Sequence, residues 1–529
     1  CIRDRTRAAC RFSRFAAPLA RRSRPVANGD SRRWPAMAAC CLAGAGASLT
    51  LPPFGVVPLI ALLSWPALII ANAATMRRAA LAGGLTGFGW FLASVWWISL
   101  SLVTGDTNYW PLLPLPLIGI PLILASFWVP AAALAHRLGR STGARLGWLL
   151  LFLALCEWAR GHVATGFPWN APGYLFSANL PLLQSASLVG LYGLTLLALA
   201  AGLAPAFWIA GQRKPAICLA TLLPVLAAYG WGRLAETPTP SSTPFKVARL
   251  VQPAVPQHEK WDRSLRPSHL ERLQTLSRRQ TPVPQLVIWP ETSFAGLLDR
   301  EPEILQTAAW EALPFDGWLI TGVPRFDAQK RLFNSAVLMR ADGTIEAIYD
   351  KRRLVPFGEF VPLRGILPFV DAIAGPVDFS AGTGEQLIKM PHFGLIQVLI
   401  CYETLFPGVA GGPGPRPEML VNLTNDAWFG DTPGPWQHLE QARMRAVEEG
   451  IPMIRVANTG VTAAFGPSGR VLGRIGLGET GFIDVAMPAS LPPTAYAGWR
   501  EWPFMALLLL LALFNIRLDR KQSIRHLTP

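Results

Sequence analysis

Gln397–Pro407 reads QVLICYETLFP: a run of strand-forming residues that ends in a cysteine, with a tyrosine and a glutamate directly behind it. β-branched and apolar runs stopped by polar clusters mark buried strands. Two other runs end the same way, QLVIWPE at Glu291 and EAIYDK at Lys351. Each sets a reactive type of residue at a strand end, and the loops that follow packed strands are where folds usually mount chemistry.

Brought together, the three make a coherent set. The carboxylate can take the thiol proton as general base. The ammonium lowers the thiol pKa and then holds the oxyanion of a tetrahedral intermediate. The thiolate attacks a carbonyl and carries the acyl group. Each residue alone has a blander reading. Glu291, in PETS, fits the first turn of a helix. Lys351, in DKRR, fits a solvated charged face. Cys401 fits a small buried hydrophobe. Composition and spacing do not show that the three meet.

The 529 residues have a mean hydropathy of +0.31, with 51% hydrophobic and 15% charged, too apolar for one soluble globule. A membrane span needs about 20 mostly apolar residues. Eight candidates follow, at 37–52, 56–73, 79–103, 113–135, 146–164, 181–210, 216–232 and 502–518. The first two are short and separated by LPPFG, so they fit either two spans or one re-entrant hairpin. The organisation expected is a basic tail 1–36, seven helices within 37–235, a soluble domain 245–487, a last span 502–518 and a tail 519–529. ETPTPSSTP (Glu236–Pro244) reads as a stiff linker into the domain.

A net charge of +15 invites a nucleic-acid reading, and its distribution removes it. Segment 245–487 holds 24 Lys+Arg and 26 Asp+Glu, a net of −2, so +17 lies in tails and short loops. Arg77/Arg78, Arg137/Arg140/Arg145, Arg213/Lys214 and Arg517/Arg520/Lys521/Arg525 follow alternate spans. That is the positive-inside pattern, with both termini cytoplasmic and the large domain on the outer face. The first 36 residues hold ten Arg and two Asp and begin with Cys1. The expectation is that part of this stretch lies upstream of a true start near Val26 or Met37; the rival is a basic anchor for anionic lipid. Of seven cysteines only Cys401 lies in the outer domain, so no disulfide or thiolate metal cluster can form within it. His438, in WQHLEQARMRA, falls on an amphipathic helix with no second histidine at zincin spacing and reads as structural.

IWPET, YDKRRLVPFGEFVP (Tyr349–Pro362) and ICYETLFP resemble the three catalytic segments of the nitrilase superfamily. With flanking spans, NLTNDAWFGDTPGPWQHLEQARMRAVEEGIPMIRVANTG (Asn422–Gly460) and CEWARGHVATGFPWNAPGY (Cys156–Tyr174), the chain is similar over 37–518 to the apolipoprotein N-acyltransferase family. The resemblance implies an α/β αββα sandwich on about eight transmembrane helices. It implies Glu291 as general base, Lys351 as stabiliser and Cys401 as nucleophile. Glu359 becomes a fourth essential acid, Tyr402 and Glu403 supports, Trp261 an aromatic on an arm near the acyl chains, and Asn334 a further supporting residue. It also implies a multi-pass protein of the bacterial inner membrane with a periplasmic catalytic domain. The substrates implied are a phospholipid acyl donor and a diacylglyceryl apolipoprotein acceptor. A monomer without metal, cofactor or nucleic acid is expected.

The rivals are a membrane-anchored amidase, with water as acceptor, and a transporter with a degenerate outer domain. Eight spans argue against the first. Few ionisable residues in the spans argue against the second; Glu157 is the exception, and it sits three residues before Arg160, at pairing distance on a helix. Trp90, Trp96, Trp97, Trp110 and Trp169 are read mostly as an interfacial aromatic belt.

Overall fold

The computed structural model describes residues 33–104, 109–236, 247–278, 284–362, 364, 377–384, 387–410 and 414–525. The basic tail up to residue 32, the linker beyond Glu236 and residues 526–529 lie outside the described residues.

Twelve described strands build two six-stranded sheets. The first runs β12 (Gly481–Ala486), β1 (Val247–Gln252), β2 (Leu286–Ile288), β3 (Trp318–Phe326), β4 (Leu332–Arg340), β5 (Ile345–Asp350). The second runs β11 (Val471–Ile475), β10 (Thr462–Phe465), β9 (Met453–Ala457), β8 (Met419–Thr424), β7 (Gly394–Ile400), β6 (Leu387–Met390). In each sheet three neighbouring strands are parallel, β1–β2–β3 and β7–β8–β9, and the flanking pairs are antiparallel. Parallel strands are covered on both faces, and β2, β8 and β9 are buried at every position. Leu250, Ile288 and Ile320 from one sheet meet Val398, Val421 and Ile454 from the other in a common core. Helices Arg266–Ser277 and Pro302–Ala312 cover the outer face of the first sheet through Leu273, Leu305 and Ala309. Helix Pro433–Glu449 covers the second through Leu439 and Ala446. The result is the α/β αββα sandwich expected.

Apolar helices pack against it through helix Pro433–Glu449 and neighbouring turns. Among the described residues six are long and apolar enough to cross a membrane: Met76–Leu102, Trp110–Leu138, Thr142–Arg160, Ala186–Ile209, Arg213–Ala235 and Trp502–Asp519. Trp34–Thr50 and Val57–Ala71 are shorter, as the LPPFG break suggests. The stretch expected as one span at 113–135 lies within Trp110–Leu138, which is made of helical pieces that include Pro114–Ala125 and Trp128–Leu138. Gly190, with φ +62°, breaks helix Ala186–Ile209. The freed amide of Leu191 donates to Glu448 Oε1 at 2.8 Å, so a carboxylate from the sandwich mends a helix break in the apolar part. Met444 and Val447, on that same sandwich helix, pack into the helical core.

The tryptophans correct an expectation. Trp96 and Trp110 are exposed, as in a belt, but Trp90, Trp97 and Trp169 are buried. The reason is their indole N–H groups, which find internal partners. Trp90 donates to Asn170 O at 3.1 Å, and Trp169 to Gln437 Oε1 at 3.0 Å. Glu157 and Arg160 form a buried ion pair at 2.5 Å, and Trp128 Nε1 donates to the same carboxylate at 2.7 Å.

Candidate active site

Three strand ends converge. Glu291 follows β2 in a turn, not in the helix its PETS context also allowed. The turn presses against β3: Gly322 N donates to Pro290 O, and Ser293 N to Gly322 O. A Cβ at Gly322 would lie 2.4 Å from Thr292 N and 2.6 Å from Glu291 Cα, so only glycine admits this approach. Lys351 is the first residue after β5, and its amide donates to Asn334 O on β4 at 2.8 Å. It is 1% exposed while Arg352 and Arg353 face outward, so the DKRR cluster is not a uniformly solvated face. Cys401 opens a short helical turn directly after β7 with φ +48°, a conformation that costs a non-glycine residue energy and marks functional positions.

The charges interlock. Lys351 Nζ lies 2.8 Å from Glu359 Oε1 and 3.5 Å from Glu291 Oε1. Asn334 Nδ2 bridges the carboxylates, donating to Glu291 Oε1 at 2.7 Å and Glu359 Oε1 at 2.8 Å. The second oxygen of Glu359 accepts the Val355 amide at 2.8 Å. Burial alone would pull the Lys351 ammonium down, but Glu359, Glu291 and Cys401 outweigh it and hold it charged. Burial, seconded by Glu291, pushes the Cys401 thiol up to about 12, against the pull of Lys351. Cys401 is therefore held as a thiol beside the Glu291 carboxylate, not as a free thiolate.

Glu403 ties two of these loops together. Its carboxylate accepts from Ile400 N at 2.7 Å, Tyr349 Oη at 2.7 Å, Arg352 N at 2.9 Å and Arg353 N at 3.2 Å. The cysteine strand and the lysine loop thus share one anchor. Burial pushes the Glu403 carboxyl up, and these donors oppose it. Tyr402 is buried and turned away, donating to Gly166 O in the turn after helix Thr142–Arg160 at 2.8 Å. Trp261 is 50% exposed and makes no ring stack or hydrogen bond among the described residues.

Sequence reasoning missed part of the site. Behind Cys401 lies a buried chain. His438 Nε2 is 3.1 Å from Cys401 O and from Thr404 Oγ1, and its Nδ1 is 2.8 Å from Asp426 Oδ1. Arg455 pairs with Asp426 at 2.5 Å. His438 is structural, as its helix suggested, but what it holds is the carbonyl of the cysteine. Lys260 is the second omission: 4% exposed, it donates to Glu291 O at 3.2 Å. The only signal was its place beside Trp261 in HEKWD, where a lone lysine reads as surface.

A carboxylate, an ammonium and a thiol that meet at strand ends, without need of a metal, suit covalent acyl transfer. The comparisons agree. Residues 248–496 match the family model for carbon-nitrogen hydrolase, and residues 43–204 match that for the apolipoprotein N-acyltransferase N-terminal domain. Among solved structures, an amidase from Nesterenkonia sp. is a distant likeness, 19% identical over 51% of this chain and 99% of that one, at a TM-score of 0.35. The apolipoprotein N-acyltransferase of Rhodopseudomonas palustris is 38% identical, covering 92% of this chain and 96% of that protein. The protein of the same name from Bradyrhizobium diazoefficiens is 38% identical over 93% and 96%. With both parts matched and nearly the whole length aligned, the chain belongs to the apolipoprotein N-acyltransferase family.

Proposed function

We propose that this chain is a phospholipid-dependent N-acyltransferase acting on the α-amino group of the N-terminal S-diacylglyceryl cysteine of apolipoproteins. The observation that carries the reading is the meeting of Glu291, Lys351 and Cys401 at the ends of β2, β5 and β7. The catalytic unit is 245–487, on the periplasmic side of the bacterial inner membrane, between helices within 37–235 and a last span at 502–518. The enzyme works as a monomer.

The mechanism is ping-pong. Glu291 takes the Cys401 proton as the sulfur attacks an ester carbonyl of the phospholipid. Lys351 and a backbone N–H stabilise the oxyanion. The tetrahedral intermediate collapses, the C–O bond breaks, and the lysophospholipid oxygen leaves with the proton from Glu291. The acceptor α-amine then attacks the thioester, Glu291 takes a proton from the attacking nitrogen, the C–S bond breaks, and Glu291 returns that proton to the Cys401 sulfur as the amide departs. A thiol held up to about 12 suits this sequence, because it becomes nucleophilic only as its proton moves. The apolar helices packed against the sandwich support delivery of acyl chains from the side and exclusion of water, which favours amine over water as acceptor.

The test is intact-mass spectrometry of the purified protein after incubation with phospholipid, with Cys401→Ser as control and a diacylated lipopeptide as chase. The expected result is an acyl adduct on Cys401 that is absent from the control and moves to the lipopeptide amine. An adduct lost only to water makes the protein a hydrolase. No adduct in active preparations sinks the covalent mechanism.

A further inference from the structure

Lys260 is used by neither the triad nor its supports, yet it lies inside the site. The bond to Glu291 O is the only hydrogen bond of its ammonium among the described residues, and it has no ion pair there. An ammonium has three donors, and burying one without a partner is expensive. What compensates it at rest is the field of the Glu291 carboxylate, to which the Cys401 sulfur adds once it is ionised. The segment that carries it is firmly held. Ala254 N donates to Asn458 O at 3.0 Å, Val255 N to Asn458 Oδ1 at 3.1 Å, and Asn425 Nδ2 to Gln257 Oε1 at 2.9 Å. The loops after β8 and β9 therefore fix where the ammonium stands.

Counting charge shows what it does there. Glu291 and Glu359 bring two negative charges and Lys351 one positive. Asp426 is matched by Arg455, and Glu403 spends its oxygens on four donors. Lys260 is the second cation, which balances the Glu291–Lys351–Glu359 cluster. Moving the thiol proton to Glu291 keeps that total but puts a negative charge first on sulfur and then on the ester oxygen. A second cation stabilises both.

We propose that Lys260 is a positioning residue of the acyl-transfer site, which fixes the backbone of Glu291 and supplies the second positive charge that balances the thiolate and the oxyanion. This rests on Cys401 being the nucleophile. Burial pulls the Lys260 ammonium down to about 8, with Glu291 and Cys401 opposing. Its charge is therefore lost as pH rises through that value. Facing it are Glu291 and Cys401 from the strand ends, and Arg266, His269, Ser293 and Asn458, which line the small cavity beside it.

The experiment reads the thiol directly and needs no lipid substrate. Full-length protein in detergent is treated with chloroacetamide between about pH 6 and pH 10, and labelling of the Cys401 peptide is timed by mass spectrometry. Wild-type protein is expected to show a bend near pH 8 in log rate against pH. Lys260→Met should label at least roughly tenfold more slowly at neutral pH, without the bend. Lys260→Arg, which stays charged, should label fast, also without the bend. A Lys260→Met rate within about twofold of wild type, with the bend retained, overturns the proposal. Should that variant not fold, a wild-type profile without a bend overturns it equally. If wild-type Cys401 labels no faster than the remaining cysteines, the nucleophile reading fails, and this inference with it.

Discussion

Gln437 joins the sandwich to the apolar helices, and removing it has a calculable cost. Its side chain is 3% exposed, and Oε1 accepts three donors: Trp97 Nε1 at 3.2 Å, Trp169 Nε1 at 3.0 Å and Asn170 Nδ2 at 3.0 Å. In Gln437→Leu the shape is roughly kept and the acceptor is lost. Trp97 and Asn170 each retain Ser94 O, at 3.0 and 2.8 Å. Trp169 retains nothing. A buried orphan N–H costs about 1–3 kcal/mol, and two weakened bonds add roughly 1 kcal/mol, for a total of about 2–4 kcal/mol. At about 2–4 °C per kcal/mol for a domain of this size, the midpoint should fall by roughly 4–16 °C. Trp169→Phe removes the orphan, so Gln437→Leu/Trp169→Phe should be less damaged than the sum of the single changes by about 1–2 kcal/mol. The assay is the fraction of monodisperse protein left after heating in detergent, read by size exclusion for all four proteins. Strict additivity, or a Gln437→Leu midpoint within about 1 °C of wild type, refutes the reasoning.

Other expectations follow from the same geometry. Glu359→Gln removes the nearest counter-charge of Lys351 and lets it close on Glu291; acyl-adduct formation should fall by roughly 10²-fold in single-turnover mass spectrometry. Burial, seconded by Arg455, pulls the His438 imidazole down, against Asp426, so the folded chain refuses a proton that the unfolded chain accepts. Stability should therefore drop as pH falls through 6.5, and His438→Gln should flatten that slope in thermal melts across the range. Glu157→Gln leaves Arg160 buried without its partner and should cost about 3–5 kcal/mol in detergent stability. Surviving Glu157→Gln protein should label at Cys401 at the wild-type rate, since the pair lies outside the site.

The three strand ends were legible because each is a local event: an apolar run that stops at a polar residue. QLVIWPE, EAIYDK and GLIQVLIC each show it without any partner, and they are the ends of β2, β5 and β7. What was not legible depends on pairings distant in sequence. His438 reaches Cys401 O across thirty-seven residues. Lys260 reaches Glu291 O across thirty-one. A lysine in HEKWD has the composition of a surface turn, and only the fold turns its side chain inward. The tryptophans failed for a related reason. A residue that suits a membrane interface also suits a buried donor, and hydropathy does not distinguish them until Gln437 and Asn170 are in place. Sheet order was beyond pattern reading as well, since nothing near Val247 announces Gly481–Ala486 as its neighbour.

That last pairing bears on how the chain is assembled. Val247 sits opposite Ala486 and Gln252 opposite Gly481 in an antiparallel ladder, so the sandwich opens and closes on adjacent strands. A polypeptide threaded across a membrane from its N-terminus delivers β1 early and β12 last, immediately before the final apolar helix. Until β12 arrives, one side of β1 is a bare ladder edge, the feature that invites mispairing. Its arrival covers that edge. A nascent chain cut short before Gly481 would keep the edge bare and open to any surveillance protease.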